Sequence, residues 1–209
     1  MDNLRVINRY GYLSISIFGA LFLLSLLFEI YEYFFGLLFL ASIFIYRNPE
    51  RMVEVSDDKA IFSPVDGKII SIKRTIYAGD EYLEVSIRNH LCDCGVLRSV
   101  ANLKIDEIKK KNGLNLFSSS DAKNLLSNRV AYICSFINKK IVIKICSGVI
   151  SRKIHYENAK ELKAGARIGF IVDGKVSVLL PVDTTLKIST GDKIKACDLI
   201  GFLGEDNGK

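Results

Sequence analysis

Tryptophan is absent from the 209 residues, proline occurs three times and methionine twice. Three prolines beside 15 glycines exclude a collagen-like repeat, and 49% hydrophobic residues exclude a disordered chain. The five cysteines, Cys92, Cys94, Cys134, Cys146 and Cys197, are an odd number without a framework spacing. That excludes a small disulfide scaffold and agrees with a reducing compartment. Charge is what the amino-terminal part lacks: between Tyr12 and Tyr46 only Glu29 and Glu32 are ionisable as acids or bases. From Arg47 onward charged residues are scattered throughout, so the positive mean hydropathy of +0.23 reflects one segment rather than an apolar whole.

That segment predicts a membrane anchor over residues 1–52 and a β-rich domain over residues 53–209. Two apolar runs, Tyr12 to Phe28 and Phe34 to Tyr46, flank Glu-Ile-Tyr-Glu-Tyr. At 1.5 Å per residue they reach roughly 25 Å and roughly 20 Å, marginal lengths that the intervening aromatics extend. Arg5 and Arg9 precede the first run, and Arg47 and Arg51 follow the second. The positive-inside rule then predicts a transmembrane helical hairpin, helices at about 12–28 and 33–46, with both ends in the cytoplasm. One tilted span or a monotopic anchor is the alternative. Through residue 51 four basic residues are matched by Asp2, Glu29, Glu32 and Glu50, so the net +6 belongs to the domain that follows. A basic domain held at the inner membrane attracts anionic phospholipid. The dispersed charges, without an aromatic-interleaved stripe, point away from nucleic acid.

After Pro49 the chain reads as short strands: Ala60 to Phe62, Gly67 to Ile72, Leu83 to Ile87, Val130 to Ile137, Ile141 to Ile145 and Val176 to Leu180. Asn138-Lys139-Lys140 has the chemistry of a hairpin turn, as do Asp66-Gly67 and Asp173-Gly174, where glycine tolerates positive φ. One helix is expected from Ser120 or Asp121 to about Asn128. Two internal echoes accompany this pattern. Residues 65–69 recur as 172–176, and Leu162 to Phe170 recur as Ile194 to Phe202. The echoes predict duplicated β-hairpin units, similar to the barrel-sandwich hybrids of lipoyl and biotinyl carriers.

Three segments in order carry chemistry. Tyr46-Arg47-Asn48-Pro49-Glu50-Arg51 follows the apolar hairpin, then Ser63-Pro64-Val65-Asp66-Gly67-Lys68, then Gly148 to Ile154 leading to Arg167-Ile168-Gly169-Phe170-Ile171. Together they resemble the short form of the phosphatidylserine decarboxylase family, over about residues 12 to 203. The resemblance implies a lyase of phospholipid biosynthesis that forms phosphatidylethanolamine at the membrane. It also implies a proenzyme that cuts itself, because decarboxylation needs an electron sink that ordinary side chains lack. In the family a serine after a glycine attacks the preceding carbonyl, and elimination leaves a pyruvoyl group. A histidine and an aspartate activate that serine.

At these places the chain departs from the family. Between Ile171 and Val178 it is one residue short, and the missing residue is the serine after Gly174, with Lys175 matching the basic residue that follows it. An amine in place of the hydroxyl would give an amide, not an eliminable ester. Ser177 is the only hydroxyl close by, preceded by Val176 rather than a glycine. Val85 to Arg98 resembles the segment carrying the activating histidine, but Gly95 stands in the histidine's place, and His90 lies five residues away. Asp66 matches the family aspartate, and a plain turn residue is the competing role. The reading that follows is a pseudoenzyme without cofactor, acting as a lipid-binding, regulatory or partner protein, with self-association also open. The alternative is an active decarboxylase that makes its pyruvoyl group at a non-standard site such as Ser177.

Other candidates are weaker. His90, Cys92 and Cys94 alternate as if on one strand face, without zinc-site spacing, and buried thiols are the simpler reading, so no metal is expected. Lys175, at an expected hairpin tip, is reminiscent of a carrier lysine but follows Gly174. Arg98, Arg152 and Arg167, with Lys153, are candidates for a phosphate headgroup or for solvated surface charge.

Overall fold

The computed structural model describes residues 6–113, 128–148, 150–151 and 153–204. The expected helix at 120–128 and Arg152 therefore fall outside the described residues, apart from Asn128. The remainder is mainly β, preceded by two apolar helices. After a 3-10 turn at Arg9–Gly11 come α1 (Tyr12–Phe28) and α2 (Glu32–Ile45). Glu29 and Tyr31 reverse the chain in the left-handed region, each at φ 54°, and Phe22 stacks on Phe39 with ring centroids 6.1 Å apart. The helices are polar inside and apolar outside. Ser25 and Ser42 are the buried residues, each hydroxyl donating 2.7 Å to the carbonyl three residues back, while Leu13, Leu23, Leu27, Leu37 and Leu40 are exposed. By length, one described helix qualifies as a membrane span, the 20 residues Arg9–Phe28. At 1.5 Å per residue α2 reaches roughly 21 Å, short of a ~30 Å hydrocarbon core. The expected hairpin has two spans of marginal length, and by length one described helix reaches spanning size.

The helical pair is fastened to the β domain through its base. Ile7 bridges Arg47 across that base, and the contacts to the domain are Tyr10 stacked on His155 at 3.9 Å and 20°, Tyr46 stacked on Phe170 at 5.4 Å, and Arg9 paired with Glu157 at 2.8 Å. Burial first, then the charges of Lys153 and Arg9, pulls the His155 imidazole below its ordinary 6.5. As pH falls, the unfolded chain therefore takes up this proton before the folded one. The stability that His155 contributes as a neutral ring is complete above about 6.5 and is lost below it. Thermal stability followed from about pH 7.5 to about pH 5 should decline with a steeper slope than in His155→Phe. Equal slopes would refute the assignment.

Among the described residues the β domain has three antiparallel sheets. The largest runs β13 (Lys193–Ile194), β2 (Gly67–Tyr77), β3 (Asp80–Asn89), β11 (Gly174–Pro181), β7 (Lys139–Ser147), β6 (Arg129–Phe136), β5 (Leu103–Lys111), β9 (Glu161–Leu162). A second joins β1 (Ala60–Phe62), β14 (Leu199–Phe202) and β12 (Thr185–Leu186). The third joins β4 (Val96–Arg98), β10 (Arg167–Phe170) and β8 (His155–Tyr156). Strict alternation of burial along β6 places Val130, Tyr132, Cys134 and Phe136 in the core. The β6–β7 hairpin turns at Ile137 and Asn138, both at positive φ, one residue earlier than expected, so that Lys139 and Lys140 already belong to β7.

The two small sheets repeat each other bond for bond. Ser99 donates its amide to Ala166 and its hydroxyl to Ala101, as Ser63 does to Asp198 and Val65. Phe62 N donates to Val100 O, and Arg98 N returns the bond to Pro64 O. The turns before β10 and β14 place Gly165 and Cys197 at φ 74° and 71°. The echo between Leu162–Phe170 and Ile194–Phe202 is thus a real structural duplication. The 65–69 and 172–176 echo is not. Its first copy corresponds structurally to residues 101–105, and its second runs into the central strand β11. Nor are the two Asp-Gly pairs hairpin turns. Neither Gly67 nor Gly174 has positive φ. Both open strands where a Cβ would lie 2.2 Å from Arg88 O and 2.4 Å from Cys146 O, so the glycines serve close backbone approach.

Candidate functional site

Asp66, Gly95 and Gly174 are far apart in sequence and meet around Asn89. This fully buried residue ends β3, and its Nδ2 donates to the carbonyls of Asp66 at 2.9 Å and Cys94 at 3.1 Å. Across the sheet Asn89 is the register partner of Gly174. Its Oδ1 is buried without a hydrogen-bond partner. Gly95 follows Cys94 and exchanges backbone with Ile171, whose N–H donates to Gly95 O at 2.9 Å. A Cβ at position 95 would lie 1.7 Å from Ile171 O. The place expected for a histidine is therefore occupied by backbone.

Asp66 has two bonds of different kinds. Its Oδ1 accepts the Ala196 amide at 2.8 Å, and its Oδ2 pairs with Arg51 at 2.6 Å. In the duplicated half Asn102 stands in its place, and Asn102 Oδ1 accepts the Ala164 amide at 2.9 Å. A neutral amide suffices for the turn, so the charge at Asp66 is used for Arg51. Beside Gly174, the Asp173 carboxylate accepts the amides of Ile150 and Ser151 at 3.1 and 2.8 Å and lies over Gly148, where a Cβ would come 1.9 Å from it. Asp173 ties the 148–151 segment to the start of β11.

Lys175 and Ser177 lie within β11, which is paired on both sides. Lys175 faces Arg88 and Cys146, and Ser177 faces Ser86 and Lys144. Lys175 is thus in the middle of a sheet and not at a hairpin tip, which removes the carrier-lysine comparison. Ser177 Oγ lies 2.9 Å from Ser86 Oγ, and Ser86 reaches Glu84 at 3.2 Å. Burial pulls the facing Lys144 below its ordinary value. His90, Cys92 and Cys94 do not share a strand face either. Residues 90–93 form a turn closed by Asp93 N to His90 O and by His90 N to the Asp93 carboxylate, each 2.9 Å. Among the described residues no group of three His, Cys, Asp or Glu is arranged around a metal position.

The family model described as phosphatidylserine decarboxylase matches residues 38–202. Two relatives named phosphatidylserine decarboxylase proenzyme are similar over most of their length. That of Desulfotalea psychrophila is 33% identical over 180 residues, covering 82% of this chain and 83% of the relative. That of Rickettsia rickettsii (strain Sheila Smith) is 34% identical over 201 residues, covering 91% and 87%. The chain belongs to the phosphatidylserine decarboxylase family. No solved structure matches it.

Within this decarboxylase-family domain, the arginines expected for a headgroup hold the segment after the helices. Arg98, 4% exposed, donates to Gly165 O and to Pro49 O, both at 2.9 Å. Burial pulls its guanidinium below its ordinary value. Arg167 donates from Nε to Asn48 at 3.0 Å and pairs with Glu50. Arg47 reaches Cys92 O at 2.7 Å. The Tyr46–Arg51 motif is thereby laid across the domain and ends at Asp66 through Arg51. Sequence reasoning missed Asn89, Asn102 and Asp173. Asp173 had a signal, as the residue before Gly174, whereas Asn89 and Asn102 are identified only by strand pairing and by the duplication.

Proposed function

We propose that this chain is a membrane-anchored member of the phosphatidylserine decarboxylase family that neither cuts itself nor forms a pyruvoyl group. It serves as a lipid-binding or regulatory protein, alone, as an oligomer or with a partner. The observation that carries the reading is the meeting of Asp66, Gly95 and Gly174 at Asn89 without a hydroxyl after Gly174 and without space for a side chain at position 95. The residues present do not fit a pyruvoyl group, because its carbon skeleton comes from the serine that this chain lacks. Anchoring is supported by the apolar exterior of α1 and α2, which is unfavourable against water and suited to lipid. The arginines at both ends of the helical pair favour a hairpin with the β domain on the cytoplasmic side of the inner membrane.

One observation favours the alternative, an active decarboxylase that matures at Ser177: the hydroxyl chain from Ser177 through Ser86 to Glu84. Against it, the Val176 carbonyl that Ser177 would attack lies in a regular strand paired on both sides, with no positive φ at either residue. Strained turns, not flat ladders, bring a hydroxyl onto its own preceding carbonyl.

The deciding experiment is the intact mass of the full chain purified from membranes under denaturing conditions, together with CO₂ release from phosphatidylserine. One species at full-length mass and no CO₂ is the expected result. Two chains divided near Gly174 to Ser177, with activity abolished by Ser177→Ala, would establish the alternative.

A further inference from the structure

We propose that the outer face of the large sheet, at the strand ends nearest the helices, docks on the anionic headgroups of the membrane that α1 and α2 enter. Lys193 of β13 is the register partner of Lys68 in β2, Lys68 of Arg88 in β3, and Arg88 of Lys175 in β11. Residues directly opposite each other across a ladder project from the same face, so the four cations form one row across four adjacent strands. Their chain neighbours Ile69, Ile87, Val176 and Ile194 point the other way, into the main core. With strands about 4.8 Å apart, the row is roughly 14 Å long. Lys68 and Lys193 are exposed, and Arg88 and Lys175 are half-buried. Like charges placed directly opposite each other destabilise a strand pair, and this sheet repeats the arrangement three times in succession. Asp173 approaches Arg88 at 3.9 Å, but its other carboxylate oxygen already accepts the amides of Ile150 and Ser151. An anionic surface laid against the row offsets the repulsion along its whole length.

Two ties hold this row near the exit of α2. Arg51 pairs with Asp66, two residues before Lys68, and Arg47 donates to Cys92 O, four residues after Arg88. At no more than ~3.6 Å per residue, Lys68 lies within roughly 7 Å of Asp66, and Arg88 within roughly 14 Å of Cys92. A bilayer entered by the helices is therefore within reach of the row, and each cation close to an anionic leaflet adds to the attraction. Charges spread along a flat row suit several headgroups side by side. The inference rests on the membrane reading of α1 and α2, and it adds the face that the domain turns to the lipid.

The test uses the full chain in nanodiscs of phosphatidylcholine, alone or mixed with phosphatidylglycerol. Acylation of individual lysines by a water-soluble amine reagent is followed by peptide mass spectrometry. Phosphatidylglycerol should slow acylation of Lys68, Lys175 and Lys193 by about tenfold or more. Salt at about 1 M, where the Debye length is about 3 Å, should remove the difference. Lys104 and Lys140 flank Ser135 on the same face. Lys140 is six residues along β7 from Cys146, the partner of Lys175, roughly 20 Å away, so these two lysines should react equally in both discs. In Lys68→Gln/Lys193→Gln most of the protection at Lys175 should be lost, whereas Lys104→Gln/Lys140→Gln should keep it. No lipid-dependent protection of the row, or equal protection of Lys104 and Lys140, overturns the proposal. Equal protection by an RNA oligonucleotide in phosphatidylcholine discs also overturns it, by assigning the row to polyanions in general. Anchoring is read separately, by retention of the chain in liposomes after alkaline carbonate. Loss of retention refutes the anchor, and retention without protection refutes the docking face alone.

Discussion

Gly95→His is expected to destabilise the protein by about 4 kcal/mol, the scale of forced overpacking in a buried backbone contact. For a chain of this size that lowers the melting temperature by roughly 10 °C. A Cβ at this position would meet Ile171 O at 1.7 Å, and it is backbone that would have to move. The N–H of Ile171 is bonded to Gly95 O, so the two peptides cannot part without losing that bond. Inserting a serine between Gly174 and Lys175 has an even broader consequence. β11 is the central strand, with Val176, Val178 and Leu180 in the main core and Leu179 in a second cluster on the other face. Shifting a strand by one residue exchanges its faces. The combined variant should therefore remain a single full-length chain with lowered stability, measured by intact mass and thermal unfolding. Self-cleavage in that variant would show that the site is two changes from activity and would sink the closed-site account.

Asp66→Asn is expected to cost about 2–3 kcal/mol, and Asp66→Ala about 1 kcal/mol more. The asparagine retains the acceptor for the Ala196 amide but leaves Arg51 without its carboxylate. That ion pair is largely shielded, with side-chain exposures of 18% for Arg51 and 12% for Asp66. The alanine loses both bonds. The duplicated half supplies the control. Asn102→Ala removes only the bond to the Ala164 amide, so its cost should equal the difference between the two Asp66 variants, about 1 kcal/mol. Arg51→Met should reproduce most of the Asp66→Asn effect. Because Arg51 ends the segment that connects the helices to the domain, both should also speed proteolysis between residues 46 and 56. Equal stability of Asp66→Asn and the parent protein would show that the charge has no structural partner.

Much of the fold was legible because its signals are local. The absence of charge between Tyr12 and Tyr46 marks the helices, and the alternation in Arg129–Phe136 marks a strand with one buried face. The Leu162–Phe170 echo was legible as a duplication because both copies repeat a turn of the same backbone shape. Local signals also misled. Asp-Gly is a turn signal, yet at Gly67 and Gly174 glycine answers to a neighbouring strand's carbonyl, which no dipeptide reveals. Alternation at His90, Cys92 and Cys94 suggested a strand face, but the Asp93 carboxylate captures the His90 amide and closes a turn.

The sequence by itself determined the family, the mainly β character of the domain and the apolar helices before it. These follow from residue identity, order and short-range period. Only the tertiary structure decided that Asp66, Gly95 and Gly174 converge on Asn89, that Asn102 is the counterpart of Asp66, and that Arg98 and Arg167 hold the Tyr46–Arg51 segment. The physical reason is that a strand's period states which face a side chain takes and never which strand lies beside it. Partners dozens of residues away are chosen when hydrogen-bonded ladders and a shared core close together.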